Sequence, residues 1–508
     1  MDQLKVETLE KKLVVPRGEF GGEQPLDIRV TLPEYLGDAA RVLRCSVSAV
    51  PDNVSAAGDR LTAEGTVRVR IVYLADKDGL CAYETSEPFT KSVEAQGLSP
   101  QCVILPVFRT DKPLCRAVSP RTLEIRAVVR TVFRVFERTE RSLLKSADGG
   151  GIQLRKTELR TADIENISSK QITVDGVCPL PAEHNAVRRL LCCDAVCRVS
   201  ETRVITNKAM VRGETEYSLF YLSDASDEPE TARVSVPFSE IVECAGLADG
   251  MSVSVRPSLL SADATPEGGS DKAREIRCSA VVALTLTAEK LTETAAVTDA
   301  YSTAFEIEPS CTTLRAAAES RPVAESMLVE GRIDLSALQP RRILYHTERI
   351  GSVRTESAAN GALLRGTLTV GVFAEGQDGA IGYAENDLPF TFEKSLPAQN
   401  AEYVFDPAVT VSGAEVSPDG STAAVRAELF VEGRLDAVRS VDALVSAALR
   451  EGSPKTADSG LVIYFPSEGE QLWDIAKKYG APADLLTAEN GLTDETVPAG
   501  RPLLISRV

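Results

Sequence analysis

Apolar and polar residues alternate with period two along most of the chain, the pattern of strands with one buried and one wetted face. After Gly65, the residues Val67, Val69, Ile71 and Tyr73 share a face, with Arg68 and Arg70 opposite. The same offsets after Gly213 give Thr215, Tyr217, Leu219 and Tyr221, and after Gly366 they give Leu368, Val370, Val372 and Ala374. A longer strand, "TLEIRAVVRTVFRVF", sets Leu123, Ile125, Ala127, Val129, Phe133 and Val135 on one side. Glu124, Arg126, Arg130 and Arg134 fall on the other. Such two-faced strands predict antiparallel sheets.

The pattern recurs in triplicate. Each copy opens on a glycine (Gly65, Gly213, Gly366) and closes on Pro-Phe (Pro88-Phe89, Pro237-Phe238, Pro389-Phe390). The glycines stand 148 and 153 residues apart. Upstream, "RVLRC" from Arg41, "RLLCC" from Arg189 and "RILYH" from Arg342 keep the same two intervals. Downstream, Arg126, Arg277 and Arg426 follow 151 and 149 apart. Asp78-Gly79 and Asp378-Gly379 predict tight hairpins, and "DASDEPE" predicts a longer loop in the second copy.

The expected fold is therefore mainly β: three repeated sandwich-like domains at 1–150, 151–305 and 306–450, a linker at 451–459, and a small terminal domain at 460–508. Short helices are expected in "PEYLGDAARVL" and "PAEHNAVRRLL", and "SADATPEGGSDKAR" reads as an exposed loop inside the second copy. The glycine, the strand ending in "VYLAD", the acidic turn and the "PF" close resemble the SPOCS domain of endospore-forming Firmicutes, with "GVFAEGQDG" the weakest match. That resemblance implies a spore-envelope role and brings no catalytic residues.

The tail changes period. "LVIYF" reads as a short strand, and "LWDIAKKY" places Leu472, Ile475, Ala476 and Tyr479 on one helical face. Pro482 opens a second helix with Leu485 and Leu486 turned inward. Asn490-Gly491 ends it, and "PLLI" returns as a strand. This βααβ order, with "GEQLWDIAKKYG", "LLTAENGL" and "VPAGRPLLI", resembles LysM, a module found binding N-acetylglucosamine-containing glycans. The resemblance implies a ligand or partner groove between Gly469, Glu470, Gln471 and Leu472 on one side and Val497, Pro498, Ala499 and Gly500 on the other. Trp473, Ile475, Tyr479 and Asn490 would support it. Gln471 stands where glycan-binding members usually carry threonine.

Composition narrows the classes. A net charge of -18 opposes nucleic acid, whose phosphates need a basic surface, and opposes anionic membranes too. With 43% apolar and 26% charged residues the chain reads as folded rather than disordered. "MDQLKVETLEKKLVV" lacks a signal-peptide pattern, which predicts a cytosolic protein. Eleven cysteines are an odd number and form no disulfide framework. Cys192, Cys193 and Cys197 form the one candidate metal cluster, without the fourth ligand a closed zinc site needs. His184 and His346 share no motif, and no HExxH helix, nucleophile elbow or P-loop is present. No enzyme, no cofactor and no resident metal are expected.

Three β repeats with a terminal LysM resemble the clostridial spore-coat morphogenetic proteins. This implies an adaptor in the mother-cell cytosol at the forespore surface, whose partner is the coat-basement ATPase. Peptidoglycan binding through LysM is the alternative.

Overall fold

The structure, a computed structural model, describes residues 4–76, 79–99, 101–226, 228–267, 273–398, 400–454, 460–492, 497 and 500–507. The first unit comprises β1 (Lys5–Thr31), β2 (Ala39–Ala57), β3 (Arg60–Ala75), β4 (Gly79–Glu94), β5 (Val103–Thr110), β6 (Leu114–Ser119) and β7 (Thr122–Asp148). The second comprises β8 (Ile152–Pro179), β9 (Val187–Ile205), β10 (Lys208–Ser223), β11 (Pro229–Glu243), β12 (Ser252–Pro266) and β13 (Glu275–Ser302). The third comprises β14 (Phe305–Asp334), β15 (Pro340–Ala358), β16 (Gly361–Gly376), β17 (Ile381–Ser395), β18 (Glu402–Phe405), β19 (Ala408–Asp419) and β20 (Thr422–Pro454). The tail contributes β21 (Gly460–Tyr464), α1 (Leu472–Tyr479), α2 (Ala483–Asn490) and β22 (Leu503–Arg507).

Each unit stacks two antiparallel sheets. One is a meander: β2-β3-β4, β9-β10-β11 or β15-β16-β17. The other is centred on the last long strand, with β7 between β1 and β5–β6, β13 between β12 and β8, and β20 between β14 and β18–β19. Inward-pointing residues of both sheets interdigitate into one core per unit, as in a β-sandwich. The twelve residues that alternation placed after Gly65, Gly213 and Gly366 are all at most 1% exposed. On the opposite, wetted faces Arg126 pairs with Asp27, Arg277 with Glu267 and Arg426 with Glu330. Such exposed pairs stabilise little.

The repeated glycine and Pro-Phe marks have a steric origin. Gly65, Gly213 and Gly366 are the cross-strand partners of Phe89, Phe238 and Phe390. Each ring lies over its glycine. A Cβ on Gly65 would come 2.9 Å from Phe89 Cε1, and one on Gly213 would come 2.6 Å from Phe238 Cζ. On Gly366 a Cβ would collide with Phe390 Cζ. Only a hydrogen fits beneath the ring.

The expected helices in 33–43 and 181–191 do not form. A turn takes their place, with Leu36 N–H donating to Pro33 O at 3.1 Å and His184 N–H to Pro181 O at 3.1 Å. Strand follows directly from Ala39 and from Val187. The helical spacing arose from β-bulges. Pairing of β2 with β3 skips Ala40 and Leu43, pairing of β9 with β10 skips Arg188 and Leu191, and pairing of β15 with β16 skips Arg341 and Leu344. Two extra residues in a short strand move the apolar positions from every second to every third, which mimics a helix.

These bulges also build the assembly. Leu43, Leu191 and Leu344 leave their own sandwiches and meet in a single apolar hub with Val72, Phe220 and Phe373. Those are equivalent positions of the three copies, so the units are arranged about a pseudo-threefold axis. Phe220 stacks on Tyr345, with centroids 5.0 Å apart and planes at 5°, and it lies 5.2 Å from Phe373. Three seams close the ring. Arg68 and Arg70 pair with Asp263 across the first and second units. Arg256 reaches Asp406 at 2.9 Å across the second and third, and Lys112 reaches Glu385 at 3.0 Å across the third and first. Lateral contacts that return to their start form a closed assembly rather than a filament.

β1 with β7, β8 with β13, and β14 with β20 stay paired far beyond the sandwiches. A lone two-stranded ribbon is marginal in water. Here three ribbons cover one another, burying Leu143, Ala296 and Ala443 in one layer and Leu144, Val297 and Leu444 in the next. The result is a stalk. At its tip Gly149, Gly150 and Gly151 turn the chain from β7 into β8 with φ of 103°, 58° and 64°. Residues 303–304 join β13 to β14 there, and Thr303 N–H donates to Gly151 O at 3.0 Å. β20 runs on to Pro454; the remainder of the expected linker, 455–459, lies outside the described residues.

Candidate functional site

The tail module sits at the stalk tip. α1 begins at Leu472 after the extended Gln471 and stops at Gly480, whose φ of 66° lets its N–H return to the last carbonyls. α2 stops in the same way at Gly491, with φ of 59°. Leu472, Ile475, Ala476, Leu486, Leu503 and Ile505 are at most 2% exposed and pack the helices on the β21–β22 ribbon. Leu485, expected inward, is half-buried.

Asn490 joins helix to strand. Its amide donates to Leu486 O at 2.9 Å and Leu504 O at 2.8 Å, and its Oδ1 accepts the Leu504 N–H at 2.7 Å. Every polar atom of the side chain is used internally. Tyr479 stacks edge-on against Tyr464 at 5.5 Å.

Gly500, at the end of the second expected groove wall, donates its N–H to Pro466 O at 3.2 Å, three residues before the first wall begins. Gly469, at φ 87°, turns the first loop, and the Glu470 carboxylate accepts Ser467 N–H at 2.8 Å and the Tyr464 hydroxyl at 2.9 Å. These bonds hold that carboxyl below its usual range. Gln471 is exposed and accepts from Arg155 Nη2 at 3.4 Å, while Leu472 and Val497 are buried in the module's core. Pro498 and Ala499 lie outside the described residues.

Trp473 does not sit wholly within its own module. Its ring meets Tyr301 of β13 edge-on at 5.0 Å, and its indole N–H donates to Asp299 Oδ2 at 2.8 Å. Lys477 Nζ reaches Asp299 Oδ1 at 2.7 Å, and the Tyr301 hydroxyl donates to Ala481 O at 2.7 Å. The second unit therefore clamps α1. Sequence reasoning missed Asp299 and Tyr301, since nothing in a strand end announces the helix that lands on it.

The ribbon's outer face is bare. Leu461, Ile463, Phe465 and Leu504 are 64%, 59%, 63% and 42% exposed, while Val462, Tyr464, Leu503 and Ile505 between them face the helices. Four aliphatic and aromatic side chains on one side of so small a sheet make an apolar patch of the kind that marks contact sites.

Other candidates disperse. Cys193 and Cys197 point into the second sandwich core, and Cys192 points into the hub. Burial pushes the Cys192 thiol up to about 12. Among the described residues no three His, Cys, Asp or Glu side chains converge as a metal site. Both histidines line one open cleft of about 540 Å³ between the second and third units, with Ser218, Arg233 and Tyr345. His346 pairs there with Glu348 at 2.5 Å. No helix among the described residues is long and apolar enough to cross a membrane.

Comparison with known families agrees with this geometry. Residues 38–107 and 186–267 match the family described as SipL, SPOCS domain, and residues 467–506 match the LysM domain. The third unit lies outside the first match although its strands repeat the same order. No curated protein and no solved structure matches the chain. SPOCS and LysM domains are not known as catalytic. The chain is a mainly β protein in which two segments match the SPOCS domain and a C-terminal segment matches LysM.

Proposed function

We propose that the protein is a non-enzymatic adaptor of the spore coat, placed on the forespore surface from the mother-cell cytosol, whose LysM domain docks onto the coat-basement ATPase. The domain pair fits a sporulation coat protein. The observation that carries protein docking is the bare ribbon face of Leu461, Ile463, Phe465 and Leu504. Sugars are recognised by polar groups and aromatic planes in a groove, whereas an aliphatic face suits another protein's apolar side chains. The closed ring and stalk supply a packed platform on which this face stays exposed. Further contacts through the ring would add avidity to a modest docking affinity.

Peptidoglycan binding is the second reading. It is favoured by the LysM match. Co-purification from sporulating cells, alongside sedimentation with purified peptidoglycan, separates the two. In the first reading the double substitution Leu461→Glu with Phe465→Glu abolishes ATPase capture. In the second it leaves sedimentation intact and Gln471→Ala weakens it.

A further inference from the structure

The three residues that meet beside the pseudo-threefold axis occupy one position in the repeat, yet they are three different residues: Arg44, Cys192 and Tyr345. Each is the cross-strand partner of its unit's hub residue, Val72, Phe220 or Phe373. A symmetric ring would place three like groups there. Instead the groups are complementary, and they converge on one carboxylate, Asp194, whose counterparts in the other copies are Ser46 and Thr347.

Arg44 of the first unit grips Asp194 of the second with both guanidinium nitrogens at 3.0 Å and donates to Cys192 Sγ at 2.6 Å. The single hydroxyl proton of Tyr345 of the third unit is shared between Asp194 Oδ2 at 3.0 Å and Ser218 O at 3.1 Å. The carboxylate lies among all three units but is not packed dry, since 36% of its side-chain surface stays accessible. Arg44 is 15% exposed and Tyr345 is 5% exposed.

We propose that Arg44, Asp194 and Tyr345 specify a ring made of one first, one second and one third unit, and disfavour rings in which the same unit from two chains meets itself. The three hub leucines do not make this choice. Leu43, Leu191 and Leu344 are identical, and three similar sandwiches with similar bulges could pair in the wrong order or across chains. The network accepts one arrangement only. Any other composition leaves Arg44, only 15% exposed, without its carboxylate, and an unpaired guanidinium so little exposed is costly. Polar groups that fix register at some cost in stability are a known use of buried ion pairs.

The test is refolding of the full chain from denaturant over a range of concentrations, read by size-exclusion chromatography with light scattering. Wild type returns to one mass. The pair Arg44→Leu with Asp194→Leu is expected to refold and to melt near wild type, but to give mixed masses that grow with concentration. The single change Asp194→Leu, which strands Arg44, is expected to lower the melting temperature. A leucine pair that returns to the single wild-type mass at every concentration would overturn the proposal. Failure of the pair to refold at all would also overturn it, because the network would then carry stability rather than choice of partner.

Discussion

The indole N–H of Trp473 and the carboxylate of Asp299 lie 2.8 Å apart, and this bond helps join the C-terminal module to a strand residue 174 positions earlier in the sequence. It makes the LysM domain part of the stalk rather than a bead on a tether. Because Trp473 is the only tryptophan in the chain, its emission reports the clamp directly. Asp299→Ala is expected to red-shift that emission and to speed proteolysis between the stalk and LysM, while the ring's own unfolding is unchanged.

The same bond sets a pH dependence. Burial raises the Asp299 carboxyl, but Lys477 and the Trp473 indole outweigh it, and the group ends below its ordinary value. A carboxylate whose folded pKa is depressed stabilises above its unfolded value, about 3.9, and that contribution fades as pH falls through the lower folded value. The emission should therefore hold steady from neutrality to about pH 4 and shift red only below it. Asp299→Asn should remove most of this acid step.

Gly213→Ala places a methyl against the Phe238 ring and the Arg198 carbonyl. Overpacking of this kind costs about 1–3 kcal/mol, so chemical denaturation should show a loss in that range. Adding Phe238→Leu to make room should recover part of it.

Tyr217 and Tyr221 lie on the same face of β10, and both are 0% exposed. The Tyr221 hydroxyl donates to Asn185 O at 3.2 Å, whereas that of Tyr217 has no hydrogen-bond partner among the described residues. Removing an unsatisfied buried hydroxyl is neutral or favourable, and removing a satisfied one costs about 1 kcal/mol. Tyr217→Phe should leave the denaturation midpoint unchanged or raise it. Tyr221→Phe should lower it.

Much of the architecture was legible because a half-buried strand repeats every second residue. The inward residues after Gly65, Gly213 and Gly366, and those of β7, were readable as core from alternation alone. The repeated glycines and phenylalanines were visible as intervals, but their reason lies in cross-strand contact. "RVLRC", "RLLCC" and "RILYH" were recognisable as copies through the residues they share. The functional content of that landmark is in its fourth letter, Arg44, Cys192 or Tyr345, where the copies differ because they touch one another. The bulges at Leu43 and Leu191 counterfeited a helical period and drew the expectation of two helices, while the matching bulge at Leu344 raised none. The clamp on Trp473 was not legible, since Asp299 and Tyr301 lie in a strand whose sequence gives no sign of what covers its end.

The account rests on the LysM module meeting a protein rather than a glycan. The most direct measurement is affinity purification of the intact protein from sporulating cells, wild type beside the Leu461→Glu, Phe465→Glu variant, with sedimentation of both on purified peptidoglycan. Capture of the coat-basement ATPase by wild type, its loss in the variant and no sedimentation of either is the predicted result. Sedimentation of both proteins with peptidoglycan and no ATPase in either eluate would contradict it.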